Sequence, residues 1–118
     1  MGKEIVNSYG KIVIAEDVIA TVAGAIAIEC YGLVGMASRK ISDGFVELLG
    51  KENLSRGVVV SSKDDELVID LFIVVGYGVK ISEVATNVME RVRYSMEKLT
   101  GLHVSQVNVN VQGVRILA

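Results

Sequence analysis

Apolar residues recur along this chain with two periods, every second residue in some stretches and every third or fourth in others, and the changes of period divide it into elements. The cleanest alternation lies near the end. Val107, Val109 and Val111 point one way and Gln106, Asn108, Asn110 and Gln112 the other, so 104–114 predicts a strand buried on one face. Between 57 and 75 the pattern predicts a hairpin, with Val58, Val59 and Val60 on one arm, 67–75 on the other, and Lys63-Asp64-Asp65-Glu66 at the turn. In the second arm Leu67, Ile69, Leu71, Ile73 and Val75 share one face, and Val68, Asp70, Phe72 and Val74 share the other. Both faces are largely apolar, which predicts a central strand whose second face is at least partly covered.

Helical spacing fills the intervals. After a β-branched strand at Gly10–Ala15, Glu16 and Asp17 place negative charge where a helix N-terminus favours it, and a helix is expected over 17–30. Its body is apolar nearly all round, and small residues four apart, Ala20 with Gly24 and Ala23 with Ala27, invite close approach by a neighbour. Gly32 suits a left-handed stop, and 33–37 reads as a weaker strand. A short helix is expected over 43–49, capped by Ser42 between Ile41 and Val46, with Phe45, Leu48 and Leu49 on its apolar side. A longer helix starts with Ser82 as N-cap, carries Glu83 in its first turn and Lys98 in its last, and closes at Gly101. Its stripe is Val84, Val88, Val92, Met96 and Leu99.

The resulting order, β-α-β-(short α)-β-β-α-β, predicts an α/β domain of the two-layer α+β kind: a mixed sheet of about five strands with the two main helices on one face. The whole chain, 1–118, reads as one domain with a short N-terminal tail at 1–8. A weak internal echo relates Ile14-Ala-Glu-Asp-Val18 to Ile81-Ser-Glu-Val84, and Gly32-Leu33 to Gly101-Leu102, as two β-α-β halves of one sheet would produce.

Composition narrows the function. A hydrophobic fraction of 51% is ample for a core, and 12 basic against 14 acidic residues leave a formal net charge of −2. Nucleic-acid binding runs on clustered Lys and Arg, and Arg39-Lys40 and Arg91 with Arg93 are the nearest approach to a cluster. The 5% aromatic content also argues against stacking on bases. A single cysteine, Cys30, allows no internal disulfide and fits a reducing, cytoplasmic compartment. The first residues lack the apolar core of a secretory signal, and the apolar run 18–28 ends at Glu29, too short to span a bilayer, so no direct membrane insertion is expected. Proline is absent, which excludes Pro-rich linkers.

Several pieces occur in a distinctive order: Ile12-Val-Ile-Ala-Glu-Asp-Val-Ile-Ala20, Gly32-Leu-Val-Gly-Met-Ala37, Arg56-Gly-Val-Val-Val60, Val75-Gly-Tyr-Gly-Val-Lys-Ile81, and Thr100-Gly-Leu-His-Val104 followed by Val107-Asn-Val109. Together, over 8–114, the chain resembles the bacterial alkaline shock protein family of envelope and general stress proteins. Ser82 departs from the proline expected at that helix start, and serine is an adequate replacement. The resemblance implies a non-enzymatic protein linked to cell-envelope stress, with some members held at the membrane through a separate anchor protein and some encoded near fatty-acid metabolism genes. A membrane location would then come from a partner. No catalytic residues are carried over.

Residue chemistry agrees with a non-enzymatic reading. His103 is the sole histidine, and a surface or edge-of-core role is its ordinary reading. Cys30 would sit at a helix C-terminus, the wrong end to stabilise a thiolate. Asp64, Asp65 and Glu66 lack the spaced ligands and glycine of a calcium loop. Gly76-Tyr-Gly78 invites a phosphate-loop reading, but Ile81 occupies the place of the third glycine, so a tight turn is expected instead. No catalytic, cofactor or metal site is therefore assigned. Asp70, a lone carboxylate in an apolar strand, is expected to mark an oligomer contact, pair with a basic residue or lie open to water.

The functional expectation is a self-associating scaffold or adaptor. Its contact surface combines Val68, Asp70, Phe72 and Val74 with Gln106, Asn108, Asn110 and Gln112, and its partners are a second copy and a membrane-anchored protein or a lipid-metabolism enzyme. A regulatory small-molecule-binding domain connected with lipid metabolism is the alternative, on fold analogy. If the short helix folded back, Phe45 and Leu48 would cover Phe72 and leave a monomer.

Overall fold

The computed structural model describes residues 2–38, 47–63 and 66–116. Its centre is β5 (Glu66–Gly76), the strand with apolar residues on both faces. Along one edge β5 pairs antiparallel with two strands placed end to end: β4 (Val58–Lys63), with Val58 opposite Leu71, and β3 (Leu33–Met36), with Met36 opposite Ile73. On the other edge β6 (Val104–Arg115) runs parallel to β5, and α2 (Ile81–Thr100) makes the crossover that a parallel pair requires.

Both main helices lie on one face of this sheet. Ile19, Ala23, Ile26 and Ala27 of α1 (Glu16–Ala27) and Val84, Val88, Val92 and Met96 of α2 form one core with Leu67, Ile69, Leu71, Ile73 and Val75. The small residues of α1 have a specific use. A Cβ on Gly24 would stand 3.1 Å from Leu54 Cβ, so the close approach is made by the short 3₁₀ helix at Lys51–Gly57.

Several expectations change in detail. The N-terminal residues are not a tail: β1 (Gly2–Asn7) pairs antiparallel with β2 (Gly10–Ala15) in a separate two-stranded sheet. Its turn is set locally, with Asn7 Oδ1 accepting from Tyr9 N at 2.8 Å and Gly10 at φ 143°. Because β2 stands outside the main sheet, β5-α2-β6 is the one β-α-β unit among the described residues, and the two-halves reading does not hold. Ser82 is not the cap of α2: the capping position lies two residues earlier, at Lys80, with no side-chain cap, and the Ser82 carbonyl instead accepts from Thr86 Oγ1. Leu99 leaves the stripe and is exposed.

Of the short helix expected over 43–49, positions 43–46 lie outside the described residues. Leu48 is not helical. It bridges Ala37 in antiparallel fashion, and Leu49 N donates to Met36 O at 2.9 Å, extending the sheet beyond β3.

Candidate functional site: the open sheet face and its free edge

Alternation in β5 sends Val68, Asp70 and Phe72 to the side away from the helices, where they are half-buried and outside the core cluster. Beside them β4 contributes Val59 and Ser61, opposite Asp70 and Val68, and β6 contributes Gln106, Asn108 and Asn110, opposite Val68, Asp70 and Phe72. The surface is thus an apolar strip flanked by a row of exposed amides.

Val74 is a correction to that surface. It is only 1% exposed, because its ladder neighbours are Gly35 and Gly113, which leave the chain room to close over it, and Leu48 Cδ2 comes within 3.3 Å of where a Gly35 Cβ would be. Gln112 is half-buried: it is the extra residue of a bulge, since Ile73 faces Val111 while Val74 faces Gly113.

Asp70 has found an amide in place of a basic partner. Asn108 Nδ2 donates to Asp70 Oδ1 at 2.9 Å, and Asn110 Nδ2 donates to the Leu71 carbonyl at 3.2 Å. Two side chains that an alternating pattern leaves to solvent are therefore held over the sheet, a pre-ordering that lowers the entropic cost of a later contact.

Sequence reasoning passed over Glu97. Its Oε2 accepts from Val104 N at 2.9 Å and lies 3.1 Å from His103 Nδ1, while His103 Nε2 lies 3.8 Å from Glu66 Oε1. Glu97 thereby ties the end of α2 to the start of β6. A glutamate one turn before a helix-ending glycine, with a histidine two residues after that glycine, is the signal that could have found it. His103 itself is at the surface, as expected.

Cys30 is buried and its thiol donates to Ile26 O at 3.8 Å. Burial pushes its pKa above the ordinary thiol value, helped by Glu29 and partly opposed by Arg91. An acid held in its neutral form by burial is a poor nucleophile, since the thiolate is the reactive species. Iodoacetamide at pH 8 should accordingly modify Cys30 far more slowly in the native protein than in urea, as followed by intact mass.

A groove of about 410 Å³ follows the outer edge of β4, with Glu16, Ser55 and Arg56 among its lining residues. Among the described residues, no group of three His, Cys, Asp or Glu side chains is placed to hold a metal ion, and no helix is long and apolar enough to cross a membrane. Gly76-Tyr-Gly78 is the tight turn its composition suggests, with Gly78 at φ 98°.

Known proteins give these features their context. The chain is 51% identical over 117 residues, 98% of both chains, to an uncharacterised Bacillus subtilis protein, YloU. It is 49% identical over 118 residues to an uncharacterised Streptococcus pyogenes protein, covering 99% of this chain and 98% of that one. A second uncharacterised Bacillus subtilis protein, YqhY, is 37% identical over 106 residues, 90% of this chain and 78% of its own. No solved structure matches. The model of the alkaline shock protein 23 family, described by a cell envelope-related function, matches residues 4–116, so the family resemblance carried by the glycine-punctuated pieces extends over both sheets, and the chain belongs to that family.

Proposed function

We propose that the protein is a non-enzymatic scaffold of the cell-envelope stress response, working by self-association and by binding a protein partner through the open sheet face. The observation that carries this reading is the face itself. Val59, Val68 and Phe72 remain half-buried, with the amides of Asn108 and Asn110 ordered beside them. Mixed apolar and amide surfaces suit non-obligate contacts, since they stay soluble when free and can hydrogen-bond when covered. The other reactive groups have structural employment: Cys30 is buried and protonated, and His103 lies between two carboxylates. In this reading the protein is cytoplasmic, and a membrane-anchored partner or a lipid-metabolism enzyme brings it to the envelope.

The alternative, a small-molecule sensor of lipid metabolism, would use the groove along β4, where Glu16 and Arg56 offer opposite charges.

Sedimentation equilibrium tests the main reading. The wild type is expected to self-associate, and Phe72→Asp, which places a carboxylate next to Asn110 in the ladder, is expected to weaken association at least tenfold while the fold persists. A wild type that stays monomeric at every concentration would sink the self-association.

A further inference from the structure

We propose that two copies of the chain pair edge to edge through β6, antiparallel about a two-fold axis at Val109, to form one continuous sheet. This deepens the self-association reading and rests on it.

The outer edge of β6 is available. Its ladder partner is β5, and among the described residues no strand pairs with its other side. Edge strands are commonly protected by proline, lysine or inward charge, and 104–114 contains no charged residue and no proline. The bulges sit toward its two ends, at Ser105 and Gln112, leaving a regular segment at 106–111.

The outward-facing groups can be identified. The Phe72 carbonyl accepts from Ala37 N, on the β3 side of β5, so by alternation the Leu71 backbone turns toward β6, where its carbonyl also receives Asn110 Nδ2. Leu71 stands opposite Val109. In a parallel ladder such a residue bonds to the neighbours of the one it faces, here Asn108 and Asn110. The N–H and C=O of Val107, Val109 and Val111 therefore point away from β5, into the free edge.

The edge is also complementary to itself. Read outward from Val109, the strand is a near palindrome, Val-Ser-Gln-Val-Asn-Val-Asn-Val-Gln-Gly-Val, broken only where Ser105 answers Gly113. An isologous contact sets residue i against j and j against i. With the axis at Val109, that residue meets its own copy and Val107 meets the partner's Val111, each through outward backbone groups. Asn108 meets the partner's Asn110, and Gln106 meets the partner's Gln112, on the open face. Amides both donate and accept, so like can pair with like.

Two experiments test the pairing. Proline is tolerated at an edge position whose N–H faces outward, so Val109→Pro should keep the native circular dichroism while weakening dimerisation at least a hundredfold in sedimentation equilibrium. The second uses Asn108→Cys and Asn110→Cys, each in a Cys30→Ala background and differently tagged. Under mild oxidation their mixture should form the mixed disulfide dimer well ahead of either homodimer, a result that does not depend on how proline is accommodated. A dimeric wild type that ignores Val109→Pro, or cross-links without favouring the mixed pair, overturns the edge pairing and leaves association through the Phe72 face standing. A monomeric wild type overturns both.

Discussion

Leu71→Asp is expected to yield no folded protein, whereas Phe72→Asp, one residue along the same strand, is expected to fold. Leu71 is fully buried in the core shared by β5 and the two helices. Removing a leucine from such a site costs about 2–5 kcal/mol. The carboxylate that replaces it would have no partner among Ile69, Ile73, Val58 and Val109, and it must either ionise in a low-dielectric interior or take up a proton, at several kcal/mol more. The sum is comparable to the about 5–15 kcal/mol that holds a typical domain together. Phe72 lies on the open face beside exposed Asn110, where a carboxylate keeps its water. Far-ultraviolet circular dichroism and urea titration of the two variants measure the contrast. A folded Leu71→Asp with near-wild-type stability would mean that the helices do not cover this face.

That contrast was legible in the sequence because a strand's two-residue period reports its faces directly. The split of β5 into Leu67, Ile69, Leu71, Ile73 and Val75 against Val68, Asp70 and Phe72 needed only alternation, as did the amide row of β6. Legibility ended where a side chain's environment is made by residues distant in the chain. Val74 has the parity of the open face, yet it is buried, because its neighbours across the ladder are Gly35 and Gly113. The N-terminal strand was missed because Lys3 and Glu4 interrupt its apolar pattern; only pairing with β2 sets Ile5 opposite Ile12 and brings Glu4 within 3.3 Å of Lys11. Ser82 misled because serine serves equally at a cap or within a first turn, and the choice was made by Lys80 and its extended backbone. The Asp70–Asn108 bond depends on the parallel register of β5 with β6, a register that local sequence does not specify.

The second large effect separates two glycines that look alike in sequence. Gly32 and Gly101 each precede a leucine after a helix, and both adopt left-handed backbones, at φ 86° and 77°. Alanine in that conformation costs about 1–2 kcal/mol at either site. Their surroundings then diverge. Gly101 closes α2 directly, donating to Glu97 O at 2.9 Å, and a Cβ there would meet only Ile5 Cδ1, at 3.5 Å, an ordinary contact. Gly32 stands four residues beyond the cap of α1, where its carbonyl accepts from Gly76 N at 3.0 Å and fixes the turn into β3 against the end of β5. A Cβ there would fall 2.7 Å from Val84 Cγ2 and 3.4 Å from Val79 Cγ1. Val84 is buried and β-branched, so it has few rotamers into which to retreat, and the overlap must be relieved by shifting α2 or the turn. Overpacking of this kind costs about 1–3 kcal/mol beyond the backbone strain. Gly32→Ala should therefore lose about 3 kcal/mol against about 1 kcal/mol for Gly101→Ala, read as the difference in urea midpoints at constant slope. Gly32→Ala in a Val84→Ala background should recover part of its own loss, because the cavity accepts the new methyl. Equal losses at Gly32 and Gly101, or no recovery, would show that the turn, and not its packing on α2, sets the cost.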